Sequence, residues 1–153
     1  MMLRRLLDFA RADPQTRFVE TEVNLLLRDA AEVTRFLWRD QAEVSGLFID
    51  VVRDFAEVPP VRAQPTQLRR ALIELLLNAI EAMPRDGLII LRTERKDNNV
   101  LVSVIDNGEG MSEATRARMF DPFFTTKGPP HLGLGLTTAE KIITEHNGSW
   151  SVE

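Results

Sequence analysis

Wound at about 3.6 residues per turn, residues 67–83 (QLRRALIELLLNAIEAM) carry apolar side chains round almost the whole circumference. Leu68, Ala71, Leu72, Ile73, Leu75, Leu76, Leu77, Ala79, Ile80 and Met83 predict a buried helix. Glu74, Asn78 and Glu81 interrupt it at i, i+4 and i+7, so they form one polar stripe. A carboxylate and an amide buried without partners cost on the order of several kcal/mol. The stripe is therefore either the wet edge of the helix or one wall of a polar site, and the helix alone does not decide which.

The rest of the chain alternates helical and extended patterns around this helix. Residues 1–12 place Leu3, Leu6, Leu7 and Ala10 on one face, and Asp13-Pro14 ends that helix. Residues 17–23 (RFVETEV) alternate in part and predict a short strand. Asn24 is positioned to cap a long helix that runs to residue 44, with Leu26, Ala30, Val33 and Leu37 inward and Gly46 as its stop. Residues 47–52 form a β-rich run, closed off by Pro59-Pro60. Thr66 is the expected cap of the central helix, with Pro84 and Gly87 closing it. Residues 88–94 and 100–105 read as a hairpin across Asp97, Asn98 and Asn99. Ser112 caps a short helix ending near Met119, with Glu113 in its first turn. A Pro- and Gly-containing stretch, 121–132, leads to a helix over 134–146 and a last strand over 149–153. Three substantial helices and about five strands predict a two-layer α/β sandwich, and the hairpin rules out a wholly parallel sheet.

Composition narrows the class. A chain of 153 residues with 44% apolar content is long enough for one domain with a real core. The net charge of −4 offers no broad basic surface, so no nucleic-acid partner is expected. Cysteine is absent, which removes disulfides and thiolate metal sites. No apolar run reaches about 18 residues, so no membrane contact is expected, and a cytoplasmic location follows. His131 and His146 have no second ligand at metal spacing, which argues against zinc.

Two glycine-containing turns and one aromatic stretch carry the candidate chemistry. Asp106-Asn107-Gly108-Glu109-Gly110 follows directly on an apolar strand. A carboxylate there can accept a hydrogen bond from an exocyclic amine such as adenine N6, and Gly108 and Gly110 allow a flat ligand close to the backbone. The same residues also make an ordinary turn. Gly133-Leu134-Gly135-Leu136 opens the last long helix, where free backbone N–H groups and the helix dipole favour phosphate. A lone GxG is weak evidence taken by itself. Phe120, Phe123 and Phe124 crowd into FDPFFTTK and can pack that loop on the core, while Lys127 and His131 are in reach of phosphates or solvated.

Together and in this order, ELLLNAIEAMP, VIDNGEGM, MFDPFFTTK and GLGL resemble the N, G1, F and G2 boxes of the ATP-binding catalytic domain of sensor histidine kinases. That domain shares its superfamily with gyrase, heat-shock chaperones and mismatch-repair ATPases. The resemblance implies a Bergerat-type fold, a mixed sheet backed by three helices, over residues 17–153. It implies that residues 1–13, with LLDFAR, end the preceding dimerisation and phosphoacceptor helix. It also implies ATP and Mg²⁺ as ligands. Asn78 would hold Mg²⁺ with Glu74 beside it, an oxygen set suited to a hard ion, and these two would carry catalysis. Glu81, Asp106, Gly108, Gly110, Phe120, Lys127, His131, Gly133, Leu134, Gly135 and Leu136 would line the nucleotide, with Asp106 on adenine N6 and residues 121–132 as the ATP lid.

Four departures stand out against the family pattern. Glu74 replaces a frequent asparagine, and glutamate there is the general base of the family's ATPases. His131 stands where a further glycine usually begins the G2 box. The segment between Lys127 and Gly133 is short and carries Pro129 and Pro130. The chain stops before the usual further strand and Gly-Thr element, so the base pocket is expected to lack its last strand or strands. Both histidines lie after the N box, so the phosphoacceptor histidine is expected on another domain, with a response regulator downstream. Transfer of the γ-phosphoryl group to that histidine is the leading expectation, favoured by FDPFFTTK. An ATPase using Glu74 as base and a nucleotide-binding module without turnover are the alternatives.

Overall fold

The computed structural model describes residues 17–83, 85–121 and 135–153. The first element is a short strand β1 (Val19–Thr21), followed by helix α1 (Val23–Arg35). Helix α1 buries Val23, Leu26, Leu27, Ala30, Ala31 and Thr34, an i, i+3, i+4, i+7 stripe that a single helical face must produce. The expected capping role of Asn24 is not met, because the helix starts two residues earlier, with Glu22 at its N-cap. Asn24 instead ties the helix to the sheet: its amide donates to Ala56 O at 2.9 Å, and its oxygen accepts from the Thr93 hydroxyl at 2.8 Å. A tertiary demand on a short amide has taken precedence over a local one.

Beyond α1 the winding widens to a π-helix over Phe36–Gln41 before one last α turn, Ala42–Val44. There the Trp38 indole N–H donates to Ala31 O at 3.0 Å. Gly46 ends the helix with a left-handed φ of +75°, as its position predicts.

Strand β2 (Ile49–Phe55) starts later and runs further than its β-rich sequence indicates, because its length is set by its parallel neighbour β4 (Gly87–Lys96). Asp86 accepts from the Phe48 N–H at 2.8 Å, and Gly87 N–H donates to Phe48 O at 2.9 Å, which pins the register where both strands begin. Strand β5 (Asn99–Asp106) closes the expected hairpin with β4, Lys96 opposite Asn99, and Asp97 takes the left-handed turn at φ +55°. The sheet order is β2-β4-β5, one parallel and one antiparallel pair, so the sheet is mixed. A strand not expected from the sequence, β3 (Val61–Ala63), pairs antiparallel with β1 across a long loop of chain.

The central helix is α2 (Pro65–Glu81). Gln64, not Thr66, is its N-cap, and Pro65 fills the first turn, where the missing N–H is no loss. It packs between α1 and α4 (Gly135–Glu145) with the sheet beneath. Leu76, Ala79 and Met83 meet Ile89 and Leu91 of β4 in the main core. Ala71 and Ala139 face each other where α2 crosses α4, and their small side chains allow close approach. Full burial of Ile89 and Leu91, both 0% exposed, contributes roughly 1.5–3 kcal/mol each. His146 fastens the two helices from the other end: Nδ1 lies 2.7 Å from Ile142 O, and Nε2 accepts from Gln64 N–H at 3.0 Å.

The short helix α3 (Glu113–Arg118) is capped by Ser112, whose hydroxyl accepts from Thr115 N–H at 3.1 Å, as its sequence predicts. The strand expected over 149–153 is not formed; these residues join no ladder. Residues 1–16 and 122–134, with the expected leading helix, Phe123, Phe124 and the lid, lie outside the described residues.

Candidate functional site

The polar stripe of α2 is one wall of the site. Glu74 and Asn78 are half-buried, and Glu81 is exposed at the last helical residue. Glu74 lies directly against the first residue of α4: a Cβ placed on Gly135 would sit 2.6 Å from Glu74 Oε2. The end of the Glu74 side chain occupies the place where a side chain at residue 135 would begin. This brings an acidic group of the N-box stretch to the positive end of the α4 dipole.

The turn after β5 forms the second wall. Asp106 accepts from Gly108 N–H at 3.0 Å, an Asx turn that orients its carboxylate. Asn107 closes the base of the turn, its Oδ1 accepting from Leu88 N–H at 2.8 Å. Glu109 N–H donates to Ala82 O at 3.3 Å, so the turn is docked on the C-terminal end of α2. Gly108 makes this docking possible: a Cβ there would meet Ala82 O at 2.5 Å and Asp106 Oδ1 at 3.0 Å. Gly110 has open space around it and needs glycine for its φ of +73° alone. Gly108→Ala is expected to lose about 1–3 kcal/mol of stability, because backbone stands on the far side and cannot yield. Urea titration checks this, and unchanged stability would remove Gly108 from the docking contact.

Phe120 belongs to the third wall. Its carbonyl accepts from the Thr137 hydroxyl at 2.8 Å, and its ring lies on Trp150 with centroids 3.9 Å apart. Leu136, between Gly135 and Thr137, is half-buried in the same first turn of α4.

The structure therefore joins α2 to Gly135, the C-cap of α2 to Gly108, and Phe120 to α4, bringing together stretches far apart in sequence. Lys127, His131, Gly133 and Leu134 lie outside the described residues. Three contributors escaped the sequence reading. Asn107 was visible only as part of a turn, Thr137 follows GLGL without a motif of its own, and Trp150 was assigned to a strand. A separate cavity of about 310 Å³ lies between the π-helix that follows α1 and the end of α2, lined by Leu37, Gln41, Leu47, Leu77 and Met83 and also by Glu81. Its lining mixes apolar side chains with Gln41, Ser45 and Glu81 and carries no Lys, Arg or His.

Residues 63–153 match the family model described as histidine kinase-, DNA gyrase B-, and HSP90-like ATPase. The chain belongs to that family. Within it, this is an ATP-binding histidine kinase catalytic domain, as its similarities show. Sporulation kinase E of Bacillus subtilis (strain 168) is 38% identical over 146 residues, covering 93% of this chain and 19% of that protein. The solved catalytic domain of the histidine kinase ThkA superposes with a TM-score of 0.71 at 32% identity, covering 84% of this chain and 82% of that one. ThkA has also been solved in complex with the response regulator protein TrrA, where the TM-score is 0.68 at 28% identity, over 96% of this chain and 40% of that one. The catalytic domain spans about a fifth of the length of the curated relatives it matches. Among its described residues, no helix is long and apolar enough to cross a membrane.

Proposed function

We propose that the domain binds Mg·ATP between α2, the Asp106–Gly110 turn and the start of α4, and delivers the γ-phosphoryl group to a histidine on a separate phosphoacceptor domain in the cytoplasm. The observation that carries this reading is the contact of Glu74 with Gly135, which places an oxygen ligand of α2 beside the helix end that favours phosphate. In the transfer, the acceptor imidazole nitrogen forms the N–P bond while the bond from the γ-phosphorus to the β,γ-bridging oxygen breaks, and ADP leaves with that electron pair. Such chemistry is chiefly positioning and electrostatics. The complex of ThkA with TrrA supports a response regulator as the downstream partner.

The donor set fits magnesium. Asn78 and Glu74 supply amide and carboxylate oxygens one helical turn apart. No group of three His, Cys, Asp or Glu able to hold a metal occurs among the described residues. Magnesium is ordinarily held by one or two protein oxygens together with phosphates and water. Bound there, it would offset phosphate charge, and Asn78 and Glu74 would hold it. Asp106 accepts from the adenine amino group, with its carboxylate held in place by the Gly108 N–H.

The test is incubation with γ-labelled ATP and a separately prepared acceptor domain. The expected product is acid-labile, base-stable phosphate on the acceptor, and none on the isolated chain. Label on His131 or His146 instead would overturn the reading. Base selectivity offers a second check. Guanine presents a carbonyl where adenine presents an amine, leaving two acceptors face to face at a cost of about 1–3 kcal/mol. ATP is expected to bind at least roughly tenfold more tightly than GTP, and Asp106→Asn to narrow the gap. Equal wild-type affinities in calorimetry would exclude Asp106 from base recognition.

A further inference from the structure

Trp150 is 45% exposed and joins no strand, so burial alone gives little reason for its placement. Its ring nevertheless lies 3.9 Å, centroid to centroid, from that of Phe120. Phe120 is at the same time held by Thr137, whose hydroxyl donates to its carbonyl at 2.8 Å. Thr137 is in the first turn of α4, two residues after Gly135, which rests on Glu74. Trp150 follows the far end of that helix.

The path between them is short. From Thr137 to His146 the helix advances roughly 14 Å, at about 1.5 Å per residue. From His146 to Trp150 an extended chain covers at most about 14 Å. The reversal itself is secured: Asn147 takes a left-handed φ of +55°, Gly148 N–H donates to Ile143 O at 2.9 Å, and Gly148 packs on the Ile143 side chain. The tail thus turns back beside the end of α4, and the Trp150 ring reaches Phe120.

We propose that Trp150 is a positioning residue for nucleotide phosphate: through Phe120 and Thr137 it sets where the first turn of α4 stands relative to Glu74. This rests on the ATP reading above. Its consequence is selective. Loosening Trp150 shifts the Gly135 end of α4, which would meet phosphate, and leaves the Asp106–Gly108 turn, which is docked separately on Ala82.

The experiment compares Trp150→Ala, Trp150→Phe and Thr137→Val with the wild-type chain, by calorimetry with Mg·ATP and by NMR titration with adenosine, which has no phosphate. An aromatic pair of this kind is expected to be reflected in an affinity change of about three- to tenfold. Trp150→Ala and Thr137→Val should weaken Mg·ATP by that factor and leave adenosine unchanged, and Trp150→Phe should return ATP affinity to within about twofold of wild type. Wild-type ATP affinity in Trp150→Ala overturns the inference, as does an equal loss of ATP and adenosine, which is what a merely structural tryptophan would give. A wild-type chain that binds no Mg·ATP overturns the functional reading itself. Should Trp150→Ala not fold, the Trp38→Phe variant leaves Trp150 as the sole indole. Its emission should then shift on saturation with Mg·ATP and not with adenosine; no shift with Mg·ATP overturns the proposal.

Discussion

Asn78→Ala is expected to abolish magnesium-dependent ATP binding, with a loss of at least roughly a hundredfold in affinity, while the domain stays folded. The two halves of this outcome have separate causes. Asn78 is half-buried on the stripe that begins with Glu74, and its amide oxygen is a neutral hard donor that alanine cannot replace. Leu76 and Ala79 on the buried side make the core contacts of the helix, and alanine is the better helix former, so the fold is expected to hold. Titration calorimetry with and without Mg²⁺, beside circular dichroism, checks both halves. Unchanged Mg·ATP affinity with an unchanged spectrum would take Asn78 out of the metal site.

Glu74→Gln divides the kinase from the ATPase. Glutamine keeps the size of glutamate and its packing beside Gly135, so nucleotide is still expected to bind. A neutral acceptor imidazole is already a nucleophile and needs no base on α2. Glu74 then acts by orienting the metal and its waters, and its loss should slow transfer to an added acceptor domain by about 10- to 100-fold. Without an acceptor, the wild type is expected to turn over below about one ATP per minute, far under a typical enzyme rate of about 10 s⁻¹, and Glu74→Gln should scarcely alter that. If instead the isolated chain hydrolyses ATP briskly and the variant loses roughly 10²–10⁴-fold, the nucleophile is water and Glu74 is its base.

The elements that sequence located well are those whose evidence is local. Residues 67–83 could be read as a buried helix because nearly every turn is apolar, and α2 is that helix. The hairpin of β4 and β5 follows from two β-rich runs around Asp97-Asn98, and Ser112 was recognisable as a cap from its own neighbours. β3 was missed because three residues after a Pro-Pro pair carry no periodic signal; pairing with β1, some forty residues earlier, makes them a strand. The strand expected at 149–153 failed for the converse reason. A β-favourable run has no ladder to join there, and its tryptophan finds Phe120 instead.

By itself the sequence determined the chemical inventory: a carboxylate and an amide one turn apart on a buried helix, an aspartate before two glycines, and glycines opening the last helix, in the order of a histidine kinase catalytic domain. Motif order is a property of the linear chain, and it needs no coordinates. Only the tertiary structure decided that Glu74 rests on Gly135, that Gly108 docks on Ala82, and that Trp150 returns to Phe120. Each of these contacts joins residues far apart along the chain, and each depends on where a side chain is missing or where a helix ends. Those quantities come from packing, which no local pattern encodes.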